Sequence, residues 1–135
     1  MEKVEWNTAL STGIEIMDKQ HKIFIELCDN LDQSVSNSEA KMEIMADLKC
    51  LEFYAKIHFA TEKKLMGEKK YPEKEGHMKL HKYFMDEIET IKKKIEAGEK
   101  GETFAKKIKE KMTDWFIIHI NKTDRKLGKF INSLK

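Results

Sequence analysis

Hydrophobic side chains recur at steps of three and four residues in four long segments of the chain, which is the period of one face of an α-helix. A lead of roughly fifteen residues without this period comes before them. The pattern predicts helices over about Asp18–Ser36, Glu39–Met66, Pro72–Ala97 and Glu102–Ile120. A last segment, Asn121–Leu134, is interrupted by Gly128 and either continues the fourth helix or bends away from it.

The connections between these segments are short and carry residues typical of helix ends. We expect Ser38 to cap the second helix, Gly67 to end it and Pro72 to begin the third, while Gly98 and Gly101 bracket the next turn. Short connections favour antiparallel neighbours. The chain is therefore predicted to be all-α, an up-down-up-down four-helix bundle with a non-helical N-terminal lead and a short C-terminal helical segment.

Composition narrows the class of protein. The 135 residues suit one domain over 1–135, with 40% hydrophobic and 37% charged residues. A net charge of +2 gives no reason to expect nucleic-acid binding, and no run of about 18 apolar residues predicts a membrane span. Cys28 and Cys50 form no paired motif, so we expect reduced thiols, with Cys28 buried and inert, in a cytoplasmic protein that is a monomer or a weak homo-oligomer.

The five histidines of the chain all fall on the predicted inner faces. Glu62 lies one helical turn after His58, and Asp124 follows His119 by five residues. Buried carboxylates need a partner, and no Lys or Arg on these faces supplies one. A metal centre accounts for all seven groups, and a purely structural bundle does not. The predicted ligands are His21, His58, Glu62, His77, His81, His119 and Asp124.

Helix direction brings these residues to one end of the bundle. His21 and His77 come early in the first and third helices, whereas His58 and His119 come late in the second and fourth. Seven ligands are too many for one ion, and imidazole with carboxylate suits iron, with manganese or zinc as alternatives. Two six-coordinate ions, bridged by both carboxylates and one solvent-derived oxygen, would have all positions filled but one. The nitrogen-rich set favours reversible binding over oxidation of a substrate.

The same residues carry a family resemblance over nearly the whole chain. The chain resembles the hemerythrins, in particular the single-domain bacterial hemerythrins. The matching motifs are Trp6, Gly13, Asp18-x-x-His21-Lys22, His58-Phe59-x-x-Glu62, Met66, Tyr71-Pro72, His77-x-x-x-His81-x-x-Phe84 and Trp115-x-x-x-His119-Ile120-x-x-x-Asp124.

The resemblance implies two iron ions bridged by an oxo or hydroxo group, with dioxygen as the ligand. His77, His81 and His119 would hold one iron and His21 and His58 the other, with Glu62 and Asp124 bridging. Dioxygen would bind reversibly, as hydroperoxide, at the open position of the His21/His58 iron. The function implied is oxygen carriage, storage or delivery without enzymatic turnover, with an oxygen-consuming protein as a possible partner.

Aromatic and aliphatic side chains near the ligands are candidates for the wall of the oxygen pocket or for plain core packing: Phe24, Phe59, Trp115, Phe116 and Ile120. The chain departs from the family pattern at Lys63, where a second acid is common, and at Phe116, where leucine is common. We expect little effect from Lys63, which should point away from the irons, whereas the ring of Phe116 could narrow the pocket or change autoxidation.

Three other functions stay open from the sequence. The chain could be an oxygen or redox sensor that acts through a separate partner. It could handle iron or detoxify peroxide or nitric oxide. The third alternative is a structural bundle that holds no metal.

Overall fold

Four long helices run antiparallel in the computed structural model, which describes residues 2–135. The first three are α1 (Glu15–Ser36), α2 (Lys41–Glu68) and α3 (Lys74–Glu96). Side-chain hydrogen bonds join α1 and α2 near both of their ends, from Gln20 to Thr61 and from Ser34 to Asp47. These contacts require opposite directions, and the predicted all-α four-helix bundle is confirmed.

The fourth helix is composite and contains two π turns. A π turn closes its hydrogen bonds over five residues rather than four, so it inserts one extra residue into the helix. The predicted C-terminal segment continues the fourth helix without a bend into solvent, and Gly128 does not interrupt it. The parts in order are α4 (Glu102–Lys109), the π turn Glu110–Asp114, α5 (Trp115–His119), the π turn Ile120–Asp124 and α6 (Arg125–Ser133).

Several predicted helix ends were wrong by a few residues. Ser38 has a left-handed backbone with φ of 54° and lies outside α2, whose N-cap is Ala40. It therefore does not cap that helix. The helix continues one residue past Gly67, and α3 begins at Lys74 rather than at Pro72. Gly98 and Gly101 do have left-handed backbones, with φ of 90° and 103°, as the turn between α3 and α4 requires.

The N-terminal lead is fastened to the start of α1 by one carboxylate. The backbone N–H and the hydroxyl of Thr12 both donate to Asp18 Oδ1 at 2.8 Å, and the hydroxyl of Ser11 donates to Oδ2 at 2.8 Å. This anchor lets α1 begin at Glu15, three residues before the predicted start. One short 3₁₀ turn, Thr8–Leu10, precedes it, and the rest of residues 2–14 is non-helical.

Two apolar clusters fill the bundle. The larger runs through its middle, and the smaller closes the end at which the lead meets α6. Cys28 is buried in the larger cluster, where burial raises the pKa of its thiol, while Cys50 is exposed; both are free. No helix within residues 2–135 has both the length and the apolar character needed to cross a bilayer. The smaller cluster is made of Ile14, Met17, Met66, Tyr71, Leu127 and Ile131.

Gly128 is the point at which α6 touches the lead, and it supplies a test of this packing. A Cβ there would lie 2.1 Å from the Thr12 carbonyl oxygen. We expect Gly128→Ala to lower the free energy of unfolding by about 1–3 kcal/mol, because the lead must move. Gly76→Ala is the control: Gly76 is helical and no side chain or distant backbone atom lies within 4 Å. That change should raise stability by about 0.5–1 kcal/mol. Urea unfolding measures both, and an unaltered Gly128→Ala protein would contradict the contact.

Candidate metal centre

Seven acidic and imidazole side chains meet inside the bundle at the end closed by the smaller cluster. Each of the four helices contributes at least one of them, and none is more than 4% exposed. The structure thus brings together every residue that the sequence singled out as a ligand. They are His21 from α1, His58 and Glu62 from α2, His77 and His81 from α3, and His119 and Asp124 from the composite helix.

The five-residue spacing between His119 and Asp124 depends on the second π turn. An α-helix completes a turn in 3.6 residues, so a residue five positions on would lie off the face of the first. The π turn Ile120–Asp124 takes up this excess and returns Asp124 to the inner face. As a result, His119 Nε2 lies 3.1 Å from Asp124 Oδ1.

The potential ligand atoms fall into two groups that share both carboxylates. Within each group these atoms lie within 4.8 Å of one another. One group has three histidines and the other has two. The first is Glu62, His77, His81, His119 and Asp124, and the second is His21, His58, Glu62 and Asp124.

Glu62 directs one carboxylate oxygen at each group. Its Oε1 lies 3.2 Å from His77 Nε2 and 2.9 Å from His81 Nε2. Its Oε2 lies 3.2 Å from His58 Nε2 and 3.6 Å from His21 Nε2. A carboxylate placed in this way could bridge two ions.

Asp124 repeats this arrangement from the opposite side. Its Oδ1 lies 3.1 Å from both His77 Nε2 and His119 Nε2. Its Oδ2 lies 2.9 Å from His21 Nε2. All five imidazoles therefore present the same nitrogen, Nε2, to the carboxylates.

Most of these inward atoms have no hydrogen bond, although they are close together. Among the imidazole–carboxylate pairs of this cluster, as far as residues 2–135 show, only His77 Nε2 and Glu62 Oε1 have hydrogen-bond geometry. Leaving buried polar atoms unpaired is costly, and metal coordination would satisfy them together. Imidazole nitrogen with carboxylate oxygen fits iron. The unpaired atoms are Nε2 of His21, His58, His81 and His119, Oε2 of Glu62 and both carboxylate oxygens of Asp124.

In the absence of metal ions, the carboxylates of this cluster favour protonated histidines. Burial lowers the pKa of His21 and of His77, but the carboxylates of Asp124 and Glu62 outweigh it and raise both pKa values to about 9. Burial alone would raise the pKa of Glu62, yet the facing imidazoles hold it well below its usual range. The pKa of His81 is lowered, with burial as the largest cause. Metal ions entering the cluster would therefore displace protons.

Gln20 contacts the His58 ring on the side away from the carboxylates. It was not identified as a site residue from the sequence. His58 Nδ1 lies 2.8 Å from Gln20 Oε1, while Gln20 Nε2 donates to Thr61 Oγ1 at 3.0 Å. The Thr61 hydroxyl donates in turn to the Ile57 carbonyl oxygen at 3.2 Å. This chain favours a proton on Nδ1 and leaves the lone pair of Nε2 for a metal. Gln20 and His58 are 38 residues apart, so their pairing follows only from the register of α1 on α2.

Phenylalanine side chains cover the two-histidine side of the centre. Phe24 and Phe116 stack at 3.6 Å between ring centroids, with 11° between their planes. The Phe116 ring meets His21 edge-on at 5.6 Å and His58 at 6.1 Å. Phe24, Phe116 and Ile120 are completely buried, which keeps this side closed to water.

The other two pocket candidates stack on histidines of the three-histidine group. Phe59 lies flat on His81, with ring centroids 3.9 Å apart and 12° between the planes. Trp115 lies flat on His119 at 4.7 Å and 12°. Both rings therefore stack on ligand candidates of the three-histidine group, and Phe59 also lies 5.8 Å from the His58 ring. Phe24 and Phe116 cover the His21/His58 side.

Comparison with known proteins gives the family. The sequence model described as the hemerythrin HHE cation binding domain matches residues 12–131. The chain belongs to the hemerythrin family. This confirms the resemblance seen in the motifs.

This hemerythrin-family chain is similar to hemerythrins of several organisms. It is 29% identical over 126 residues to a bacteriohemerythrin of Pseudomonas aeruginosa, covering 92% of this chain and 78% of the relative. It is 26% identical over 133 residues to a bacteriohemerythrin of Methylococcus capsulatus, covering 95% and 96%. A myohemerythrin of Theromyzon tessulatum is 26% identical over 125 residues, covering 93% and 91%.

Solved hemerythrin structures share the fold. A leucine-to-tyrosine mutant of a hemerythrin matches with a TM-score of 0.83 and 25% identity, over 97% of this chain and 98% of that one. A wild-type hemerythrin matches with a TM-score of 0.82 and 24% identity, over 96% and 98%.

Gln20 provides a test of the way His58 is held. We expect Gln20→Leu to weaken metal binding by about 10–100-fold, because the partner that fixes the His58 ring is lost. Metal titration monitored by absorbance measures the affinity, and circular dichroism verifies the fold. Gln33→Leu is the control on the same helix, since its amide bonds Asp29 outside the seven-residue cluster. Equal affinity in both variants would show that Gln20 does not support the centre.

The protons held by the metal-free cluster predict a pH dependence of stability. The folded-state pKa of about 9 for His21 and His77 exceeds the ordinary histidine pKa of 6.5. The stabilisation from these protons is complete below pH 6.5 and is lost as the pH rises through 9. Urea unfolding of metal-free protein should therefore show lower stability at pH 9 than at pH 6.5. Metal-loaded protein should lack this decline, and a metal-free protein of constant stability would refute the protonation.

Proposed function

We propose that this chain binds two iron ions and holds dioxygen reversibly, for oxygen carriage, storage or delivery. The observation that supports this most is the pair of buried groups sharing both carboxylates. In this proposal, Glu62 and Asp124 would be shared by the two irons. His77, His81 and His119 would hold one iron, and His21 and His58 would hold the other.

The unequal number of histidines gives the two ions different roles. An ion held by His21 and His58 would have one protein ligand fewer than its neighbour, which would leave a position for an external ligand. When bound, ferrous ions supply the electrons that dioxygen binding requires. The nitrogen-rich ligand set adds little negative charge, which favours release of dioxygen over further oxidation.

The side chains around that position exclude water. Phe24 and Phe116 are stacked and wholly buried against His21 and His58. Water or anions that reached the irons would promote their irreversible oxidation, so a dry wall prolongs reversible binding. Gln20 contributes by keeping His58 in one orientation.

The names of the relatives support a binding protein rather than an enzyme. Those quoted above are named bacteriohemerythrin and myohemerythrin. We infer a cytoplasmic location from the two free cysteines, which suit a reducing compartment. An oxygen-consuming protein would be the natural recipient of the dioxygen.

Metal analysis and visible spectra of the reduced protein test this proposal. About two irons per chain are expected, with a charge-transfer band that forms in air and vanishes on degassing. A band that persists after degassing would favour peroxide or nitric-oxide chemistry. An air-dependent interaction with a second protein would favour a sensor. Less than one iron per chain, with unchanged stability, would refute the centre itself.

Phe116 allows the dry wall to be tested separately from iron binding. We expect Phe116→Leu to retain both irons and to autoxidise several-fold faster, because the smaller side chain leaves room for water beside His21. Phe84→Leu is the matched control: Phe84 is also fully buried and packs on Phe24, but its ring contacts no histidine among the described residues. Decay of the oxygenated spectrum measures the rate. Equal rates in the two variants would contradict the role of Phe116.

A further inference from the structure

Aromatic rings form a continuous path from His119 to the surface of the bundle. The indole of Trp115 lies flat on the His119 ring, 4.7 Å away with 12° between the planes. The Tyr83 ring follows at 6.1 Å from Trp115, with 36° between the planes. Trp115 is half-buried, and Tyr83 is 40% exposed. The path thus joins a candidate metal ligand to solvent in two steps.

We propose that Trp115 and Tyr83 supply electrons to the metal centre after hydrogen peroxide has taken two electrons from it. The proposal rests on the iron centre proposed above. Electrons would pass from Tyr83 to Trp115 and then through His119. A soluble one-electron donor of the ascorbate class would restore Tyr83 at the surface.

Residue type distinguishes this path from the other rings at the centre. Indole and phenol rings lose an electron far more readily than benzene rings do. The rings stacked on His81 and packed on His21 belong to Phe59 and Phe116, which are poor donors. The exposed end of the path also gives a soluble donor access, which a fully buried ring would not.

Tyr71 is the one competing donor that contacts a ligand candidate among the described residues. Its ring is 6.4 Å from His77, nearly perpendicular at 76°, and only 6% exposed. Trp115 is closer to its histidine and parallel to it, so orbital overlap is better there. A radical formed on Tyr71 would also be shielded from a soluble donor.

Electrons and protons balance in this scheme. Hydrogen peroxide takes two electrons and two protons to give two water molecules, as its O–O bond breaks. Two passes along the path supply the two electrons, and each pass releases one phenolic proton from Tyr83. Each donor molecule then returns one electron and one proton to Tyr83. The net reaction converts one peroxide and two donor molecules to two waters and two oxidised donors.

The surroundings of Tyr83 direct its proton to solvent. Lys111 Nζ donates a hydrogen bond to the Tyr83 hydroxyl oxygen at 3.3 Å. An ammonium group in this position is a donor and accepts no proton. The exposed hydroxyl therefore releases its proton to water.

Two buried methionines explain why such a path would be useful. Met17 and Met66 are completely buried in the small cluster at the metal end. Oxidation turns methionine into a polar sulfoxide, which disrupts an apolar core. Electrons taken from Tyr83 would spare these side chains.

Freeze-quenched electron paramagnetic resonance of iron-loaded protein mixed with hydrogen peroxide tests the proposal. Wild-type protein should show a tyrosyl radical. Tyr83→Phe should lose that signal and retain a tryptophan radical, whereas Trp115→Phe should lose both. Tyr54→Phe and Trp6→Phe are matched controls, since neither ring contacts a histidine within residues 2–135, and both should keep the wild-type signal.

A second measurement detects damage directly. Peptide mass spectrometry after peroxide and ascorbate should show more sulfoxide at Met17 and Met66 in Trp115→Phe than in Trp6→Phe. A tyrosyl signal that survives in Tyr83→Phe and disappears in Tyr71→Phe would overturn the path. Equal sulfoxide in both tryptophan variants would also overturn it. Iron content and reversible dioxygen binding are measured first, so failure of the proposed function is recognised separately.

Discussion

The structure depends on the burial of two carboxylates that have no lysine or arginine beside them among residues 2–135. Glu62 and Asp124 are completely buried, and five imidazoles surround them through Nε2. An uncompensated buried charge is too costly for a protein of this size, so cations or protons must occupy the cluster. The bundle is arranged to meet this need. Each helix brings at least one imidazole to one end, and the lead, α6 and the small apolar cluster close that end against water.

The same constraint accounts for the irregular fourth helix. A regular α-helix could not place both His119 and Asp124 on its inner face, whereas the π turn Ile120–Asp124 does so. The earlier π turn, Glu110–Asp114, shifts the buried face by one residue. It makes Phe116 the fully buried ring beside the centre and moves Trp115 outward, half-buried on His119. Local irregularity in the backbone thus decides which aromatic ring covers which histidine.

The features of this arrangement that follow from helical periodicity could be predicted from the sequence. Seven inward residues and an alternating helix direction sufficed to gather the cluster at one end. Periodicity assumes a regular helix, so it gave no sign of the two π turns, and Gly128 was read as a break. Periodicity also cannot show which residues of two different helices lie opposite each other. The register of α1 on α2 is set by how the two helices pack. Gln20 was missed for that reason, although its bond to His58 is as short as 2.8 Å.

The two sides of the centre differ in a way that suits reversible binding of an oxidant. Rings that resist oxidation, Phe24 and Phe116, enclose the His21/His58 side, where dioxygen would bind in the proposed function. Trp115 lies on the His119 side, and in the proposed path electrons from Tyr83 would reach the centre through Trp115. An oxidisable ring on the first side would be exposed to the bound oxidant at every cycle. On the second side it would be separated from that position by the two irons of the proposed function and by the carboxylates of Glu62 and Asp124. A donor on that side would leave the proposed dioxygen binding undisturbed and would be oxidised only when the centre itself lacks electrons.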